Sequence, residues 1–163
     1  HGGSLRIFAQ KKNIGNKKVS PNVKKILEKE RLAGLLQKDI YLNFYKSAEN
    51  IKYDLVNFLI DVKKKGKNVI AYGAAAKGNT LLNFAGIKND LIKFVVDRNP
   101  AKQSKYMPGS RIPILNEEYI LKEKPEYILI LPWNLKDELK EQLKYSKKWG
   151  AKIFVALPRL EFL

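Results

Sequence analysis

The segment Gly73-Ala74-Ala75-Ala76-Lys77-Gly78 has the spacing of a G-x-G-x-x-G loop with Ala75 in place of the middle glycine. Between a strand and a helix such a loop holds phosphate. Its first glycine permits the tight turn, its last lets helix approach strand, and the free amides of the helix start attract an anion. Lys77, Asn79 and Thr80 add a cation and two polar side chains to the first helical turn. Asp97 closes the next strand at roughly the 20-residue spacing of the acid that binds ribose hydroxyls in such folds. Trp133, at a later strand end, suits stacking on a ring and equally suits covering the sheet edge. The altered middle glycine departs from the standard dinucleotide geometry, because that residue lets the backbone approach a pyrophosphate. Small residues at this turn also arise where a helix merely packs on a strand, so the loop alone leaves both readings open.

Other chemistries are excluded or unsupported. There is no cysteine, hence no disulfide, thiolate zinc site or cysteine nucleophile, and His1 is the sole histidine. No pair of carboxylates falls on strand ends where it would form an acid–base constellation. No apolar run approaches the ~20 residues of a membrane span. Lysine and arginine number 32 against 16 acids, a net charge of +16, which is the footprint of a nucleic-acid binder. The excess is nearly all lysine, with Arg6, Arg31, Arg98, Arg111 and Arg159 the arginines. Lysine scattered without arginine solubilises more than it reads bases, so specific nucleic-acid binding is not expected.

The elements that must position these residues follow from periodicity. At 163 residues the chain suits one domain. Ser4–Ala9 alternates as a strand, and residues 10–19 form a basic, aperiodic loop. Ser20-Pro21 is a helix start, and that helix is expected to run to about Leu36. Ile40, Phe44, Ile51, Leu55, Phe58, Leu59 and Val62 recur at helical steps and predict a second, longer helix over 39–65, ended by Gly66. Residues 1–66 thus form a strand, a basic loop and two helices. From residue 67 strands alternate with helices: Val69–Tyr72, Ile92–Val96, Ile112–Leu115, Tyr127–Leu131 and Ile153–Ala156, with a helix at 116–124. A last helix, capped by Asn134, is expected to carry Leu135, Leu139, Leu143 and Trp149 on one face. The fold class is α/β, a Rossmann-like doubly wound parallel sheet of about five strands preceded by a strand and two helices. In the usual order 3-2-1-4-5, the strands ending at Gly73 and Leu131 are neighbours, and the ligand crevice lies between them.

Several motifs occur together and in order: His1-Gly2-Gly3-Ser4-Leu5-Arg6, Tyr72-Gly73-Ala74-Ala75-Ala76-Lys77-Gly78-Asn79-Thr80, Asp97-Arg98-Asn99-Pro100-Ala101-Lys102-Gln103, Pro108-Gly109-Ser110-Arg111-Ile112-Pro113 and Leu131-Pro132-Trp133-Asn134. Over nearly its whole length the chain resembles the C-terminal domain of the S-adenosylmethionine-dependent C-methyltransferases acting on nucleotide-linked deoxysugars. In that family the catalytic tyrosine, glutamate and histidine lie upstream of the His-Gly-Gly-Ser element. The resemblance therefore implies no catalytic residue in this chain, no metal site, and no methyl transfer by the chain alone. It implies that S-adenosylmethionine is held by a preceding methyltransferase domain, against which residues 1–66 dock, while residues 67–163 bind the nucleotide sugar. The implied substrate-binding residues are Gly73, Ala75, Lys77, Gly78, Asn79 and Thr80, then Asp97, Lys102 and Gln103, then Trp133 and Asn134. The chain opens on His1 and its sole methionine is Met107, so a fragment or a processed chain is expected; the expected setting is cytoplasmic, with no membrane partner. Two rival readings remain: a free-standing nucleotide- or coenzyme A-binding domain, and a basic nucleic-acid-binding module.

Overall fold

A computed structural model of the protein describes residues 5–163. The chain divides into two compact units, His1–Ala48 and Glu49–Leu163.

In the first unit, α1 (Pro21–Leu32) begins as its sequence requires: the Ser20 hydroxyl oxygen accepts from the Asn22 N–H at 3.3 Å and Pro21 takes the first helical position. It stops at Leu32, short of the expected Leu36, because the amides of Gly34 and Leu35 turn back to the carbonyls of Arg31 and Glu30. The expected strand at Ser4–Ala9 is not formed over residues 5–9, and Ser4 lies outside the described residues. Among the described residues no strand pairs with this segment, and Leu5, Ile7 and Phe8 are exposed. No residue of α1 is buried.

The long helix α2 (Lys38–Lys64) matches its periodicity, but only its second half is core. Leu55, Leu59 and Val62 are buried, each contributing about 1.5–3 kcal/mol of transfer free energy. In the second unit the strands are β1 (Val69–Tyr72), β2 (Val95–Val96), β3 (Lys105–Tyr106), β4 (Pro113–Leu115), β5 (Tyr127–Ile130), β6 (Lys152–Val155) and β7 (Glu161–Phe162). Between them lie α3 (Ala76–Phe84), α4 (Glu118–Glu123) and α5 (Lys136–Gln142).

The sheet has seven strands in the order β3-β4-β2-β1-β5-β6-β7. Its five parallel strands, numbered along the chain, run 3-2-1-4-5, as expected. The two extra strands, β3 and β7, pair antiparallel at the edges, and at two residues each they are too short to carry a readable period. β1 is buried at every position, the pattern of a central parallel strand covered on both faces. One face packs against α2 and α3, through Leu55, Leu59, Leu81 and Leu82, and the other against α4 and α5, through Ile120, Leu139 and Leu143. Phe58 of α2 closes the β6–β7 end, its ring centroid 5.0 Å from Phe154 and 5.6 Å from Phe162.

The last expected helix is two elements. α5 ends at Gln142 and Lys144–Trp149 is a 3-10 helix, yet Trp149 still packs against the cluster that holds Leu139 and Leu143, whereas Leu135 is exposed. Asn134 is not its cap: it sits inside a 3-10 turn, Trp133–Leu135, and Leu135 takes the cap position without a side-chain bond.

Candidate functional site

The carboxyl end of β1 leads directly into the glycine loop. Gly73 has φ +87°, and a Cβ there would stand 2.6 Å from Pro132 Cγ, so a side chain is opposed by both conformation and space. The Ala75 N–H returns to the Gly73 carbonyl at 2.8 Å, tightening the turn before α3. At the other end of the loop a Cβ on Gly78 would meet Leu131 Cβ at 2.5 Å. Only glycine lets α3 lie this close to the strand end, which is the packing role its position in the motif predicts. Ala75, the N-cap of α3, supplies no side-chain capping bond, so the first-turn amides carry no internal anionic acceptor.

Lys77, in that first turn, reaches across the switch point. Its Nζ donates to Asn134 Oδ1 and lies 4.8 Å from the centroid of the Trp133 ring. The two walls expected from the strand order are therefore joined by one cation. Lys77 meets Trp133 and Asn134, while Gly73 and Gly78 stand against Pro132 and Leu131, because β1 and β5 pair in register from Val69–Tyr127 to Tyr72–Ile130.

The second group is brought to the same edge but its polar atoms face the protein. Asp97 is 9% exposed. Its Oδ2 accepts from the Ala74 N–H at 2.8 Å and from Lys102 Nζ at 3.1 Å, and its Oδ1 accepts from the Asn99 N–H at 2.8 Å. Lys102 Nζ also donates to the Ala74 carbonyl at 2.9 Å, and Gln103 Nε2 donates to the Asp97 carbonyl at 2.9 Å. Asp97, Lys102 and Gln103 thus tie the loop after β2 to the glycine loop. Asn79 and Thr80 stand further along α3. The Thr80 hydroxyl donates to the Ala76 carbonyl of its own helix at 3.2 Å, and Asn79 Oδ1 is buried without a hydrogen-bond partner.

A third group was not found from the sequence. The Tyr72 hydroxyl donates to Glu117 Oε1, Gln142 Nε2 donates to that hydroxyl, and Gln142 Nε2 also reaches Glu117 Oε1 at 2.9 Å. Arg98 Nε donates to Glu117 Oε2 at 2.8 Å. Burial, and then the Glu117 carboxylate, push the Tyr72 hydroxyl well above the ordinary tyrosine range, so it remains a proton donor. Tyr145 is raised for the same two reasons in the same order. The four bonded residues lie at separations of 19 to 70 positions, and only the strand register assembles them. The available signal was that Tyr72 ends a strand otherwise made of aliphatic residues and alanine.

Among the described residues no group of three histidine, cysteine, aspartate or glutamate side chains could hold a metal ion, and no helix is long and apolar enough to cross a membrane. The site is a strand-end crevice with one bridging cation, one indole face and an uncapped helix start, a setting suited to binding an anion and a ring. The C-methyltransferase NovU of Streptomyces niveus is 34% identical over 158 residues, covering 97% of this chain and 37% of the relative. The chain therefore spans little more than a third of the relative it matches. The family model described as the C-methyltransferase C-terminal domain matches residues 1–158, and the chain belongs to that family.

Proposed function

We propose that the Glu49–Leu163 unit binds the nucleotide-linked sugar substrate of an S-adenosylmethionine-dependent C-methyltransferase, with the methyl donor held elsewhere in a longer chain. The observation that carries this reading is Lys77, which leaves an uncapped helix start to lie over Trp133 and against Asn134. A diphosphate would face the first-turn amides and Lys77, and a base or sugar ring would lie on the indole. Both oxygens of Asp97, the acid expected to bind ribose hydroxyls, are already engaged by backbone amides and Lys102, so this reading rests on Lys77 and Trp133 and gives Asp97 a loop-anchoring role. No step of methyl transfer is assigned to this chain.

Calorimetry and tryptophan fluorescence with a panel of nucleotide sugars test the reading. Lys77→Ala is expected to weaken binding by about 1.5–3 kcal/mol, roughly 10- to 100-fold, the worth of a hydrogen bond to a charged group. The fluorescence change is expected to vanish in Trp133→Phe and to persist in Trp149→Phe, since the Trp149 indole N–H is engaged by the Pro125 carbonyl at 3.0 Å. S-adenosylmethionine should give no micromolar binding in the same titration. An unaltered affinity in Lys77→Ala with an intact signal in Trp133→Phe would place the ligand elsewhere.

The unit ending at Ala48 has a different role in this reading: it docks on the remainder of a longer chain, of the kind represented by NovU. Phe44 is 74% exposed, and Leu27, Leu32, Tyr41 and Leu42 are exposed as well. Apolar area of this kind marks an interaction surface. Without its partner the chain is expected to self-associate through this face, and the double variant Leu27→Glu, Phe44→Glu to sediment as a monomer. A chain that is already monomeric at high concentration in sedimentation velocity would contradict this role.

A further inference from the structure

Tyr72, Val96 and Leu115 form one row across β1, β2 and β4, paired Tyr72 with Val96 and Val96 with Leu115. All three side chains belong to the face that packs on α4 and α5. Arg98 and Glu117 follow two residues beyond Val96 and Leu115, just past the ends of β2 and β4. They meet there as an ion pair of 2.8 Å. Asp97, between Val96 and Arg98 in the chain, binds the Ala74 N–H instead.

Glu117 is not a free surface carboxylate. One oxygen takes the Tyr72 hydroxyl and Gln142, which leaves the other to fix Arg98 through Nε alone. Tyr72 is 4% exposed, so the anchor below the carboxylate is rigid. The Arg98 side chain is 62% exposed, and its terminal Nη groups have no partner among the described residues. An isolated surface pair would gain little, but an arginine already held by its Nε presents two terminal NH2 groups whose orientation costs little further entropy.

The strand order places this arginine opposite Lys77. β1 lies between β5, whose end carries Trp133 and Asn134, and β2, whose end carries Arg98. The crevice thus has a cation on each side of the carboxyl end of β1, while the acid expected there is engaged by the backbone. We infer that Arg98, oriented by Glu117, is a second anion-binding residue of the crevice and contacts a phosphate oxygen of the ligand. This rests on the nucleotide-sugar reading. Glu117 is a positioning residue, acting only through Arg98.

The test is isothermal titration of the chain with UDP-glucose, dTDP-glucose and GDP-mannose, and with the nucleoside matching the tightest of them. Arg98→Gln is expected to weaken the diphosphate sugar about 10-fold, one charge-assisted hydrogen bond, and to leave the nucleoside unchanged. Arg98→Lys should recover part of the loss. Glu117→Gln should weaken the diphosphate sugar less than Arg98→Gln does, again with no effect on the nucleoside, which a merely structural defect would also lose. Thermal unfolding of Arg98→Gln should stay close to that of the unaltered chain, since the side chain is mostly outside the core. If the unaltered chain binds and Arg98→Gln binds equally well, Arg98 is not a ligand residue and the inference falls alone. If the unaltered chain binds none of the three, the nucleotide-sugar reading falls and takes the inference with it.

Discussion

Gly73→Ala is expected to lower the free energy of unfolding by about 3 kcal/mol. Two penalties combine. At φ +87° an alanine takes up left-handed strain of roughly 1–2 kcal/mol. Its Cβ would also stand 2.6 and 2.7 Å from Pro132 Cγ and Cδ, and relieving such overpacking costs about 1–3 kcal/mol. Pro132 is a ring on the neighbouring strand end, so it cannot swing away as the tip of a long side chain would. Gly66→Ala separates the two: its φ is +67° and a Cβ there meets nothing within 4 Å, so it should lose only about 1 kcal/mol. Urea unfolding of both variants measures the difference. Equal losses would show that the contact between the two loops contributes nothing, and the close apposition of the crevice walls would then be wrong.

The second large effect is expected at Asp97. Asp97→Ala removes the acceptor of the Ala74 and Asn99 amides and of Lys102, with an expected loss of about 3 kcal/mol of stability. Asp97→Asn keeps one acceptor oxygen and turns a donor group toward the remaining donors, so its loss should be smaller, at about 2 kcal/mol. Lys102→Met is the control. Its ion pair with Asp97 is partly exposed, 42% on the lysine side, and such a pair contributes about 1 kcal/mol or less. Hydrogen exchange at the Ala74 amide adds a local readout, which should accelerate in both Asp97 variants and change little in Lys102→Met. If Lys102→Met costs as much as Asp97→Ala, the ion pair and not amide anchoring holds the loops together.

These two sites show why the motif read correctly as a loop and less fully as a site. The spacing from Gly73 to Asp97 carries the geometry of a strand–turn–helix and the acid that follows it. Whether the acid faces a ligand or its own backbone depends on the Ala74 amide, which has the same covalent structure in either case. The three residues of the second group were legible as members of one motif, and their mutual bonds were not. Lys77, Trp133 and Asn134 were placed on opposite walls of one crevice from the strand order alone, and their contact follows from it. Tyr72, Arg98, Glu117 and Gln142 had no comparable signal, since each lies at a strand or helix end and is ordinary in its own segment.

The sequence by itself determined the parallel sheet and, in the usual order, which strand ends are neighbours. Alternation of strand and helix requires crossovers of one hand, and those leave few ways to order five strands. It also determined the start of α1, where Ser20 and Pro21 act within one turn, and the course of α2, whose period is sustained for many turns. Tertiary structure decided what depends on a partner far along the chain. A run such as Leu5–Ala9 alternates like a strand but pairs with no strand among the described residues, whereas Lys105–Tyr106 and Glu161–Phe162 have almost no pattern and are strands because β4 and β6 offer them hydrogen bonds. The same holds for the polar groups. Side-chain type sets which bonds Asp97 or Glu117 can make, but the register of β1, β2 and β4 decides which donors stand within reach.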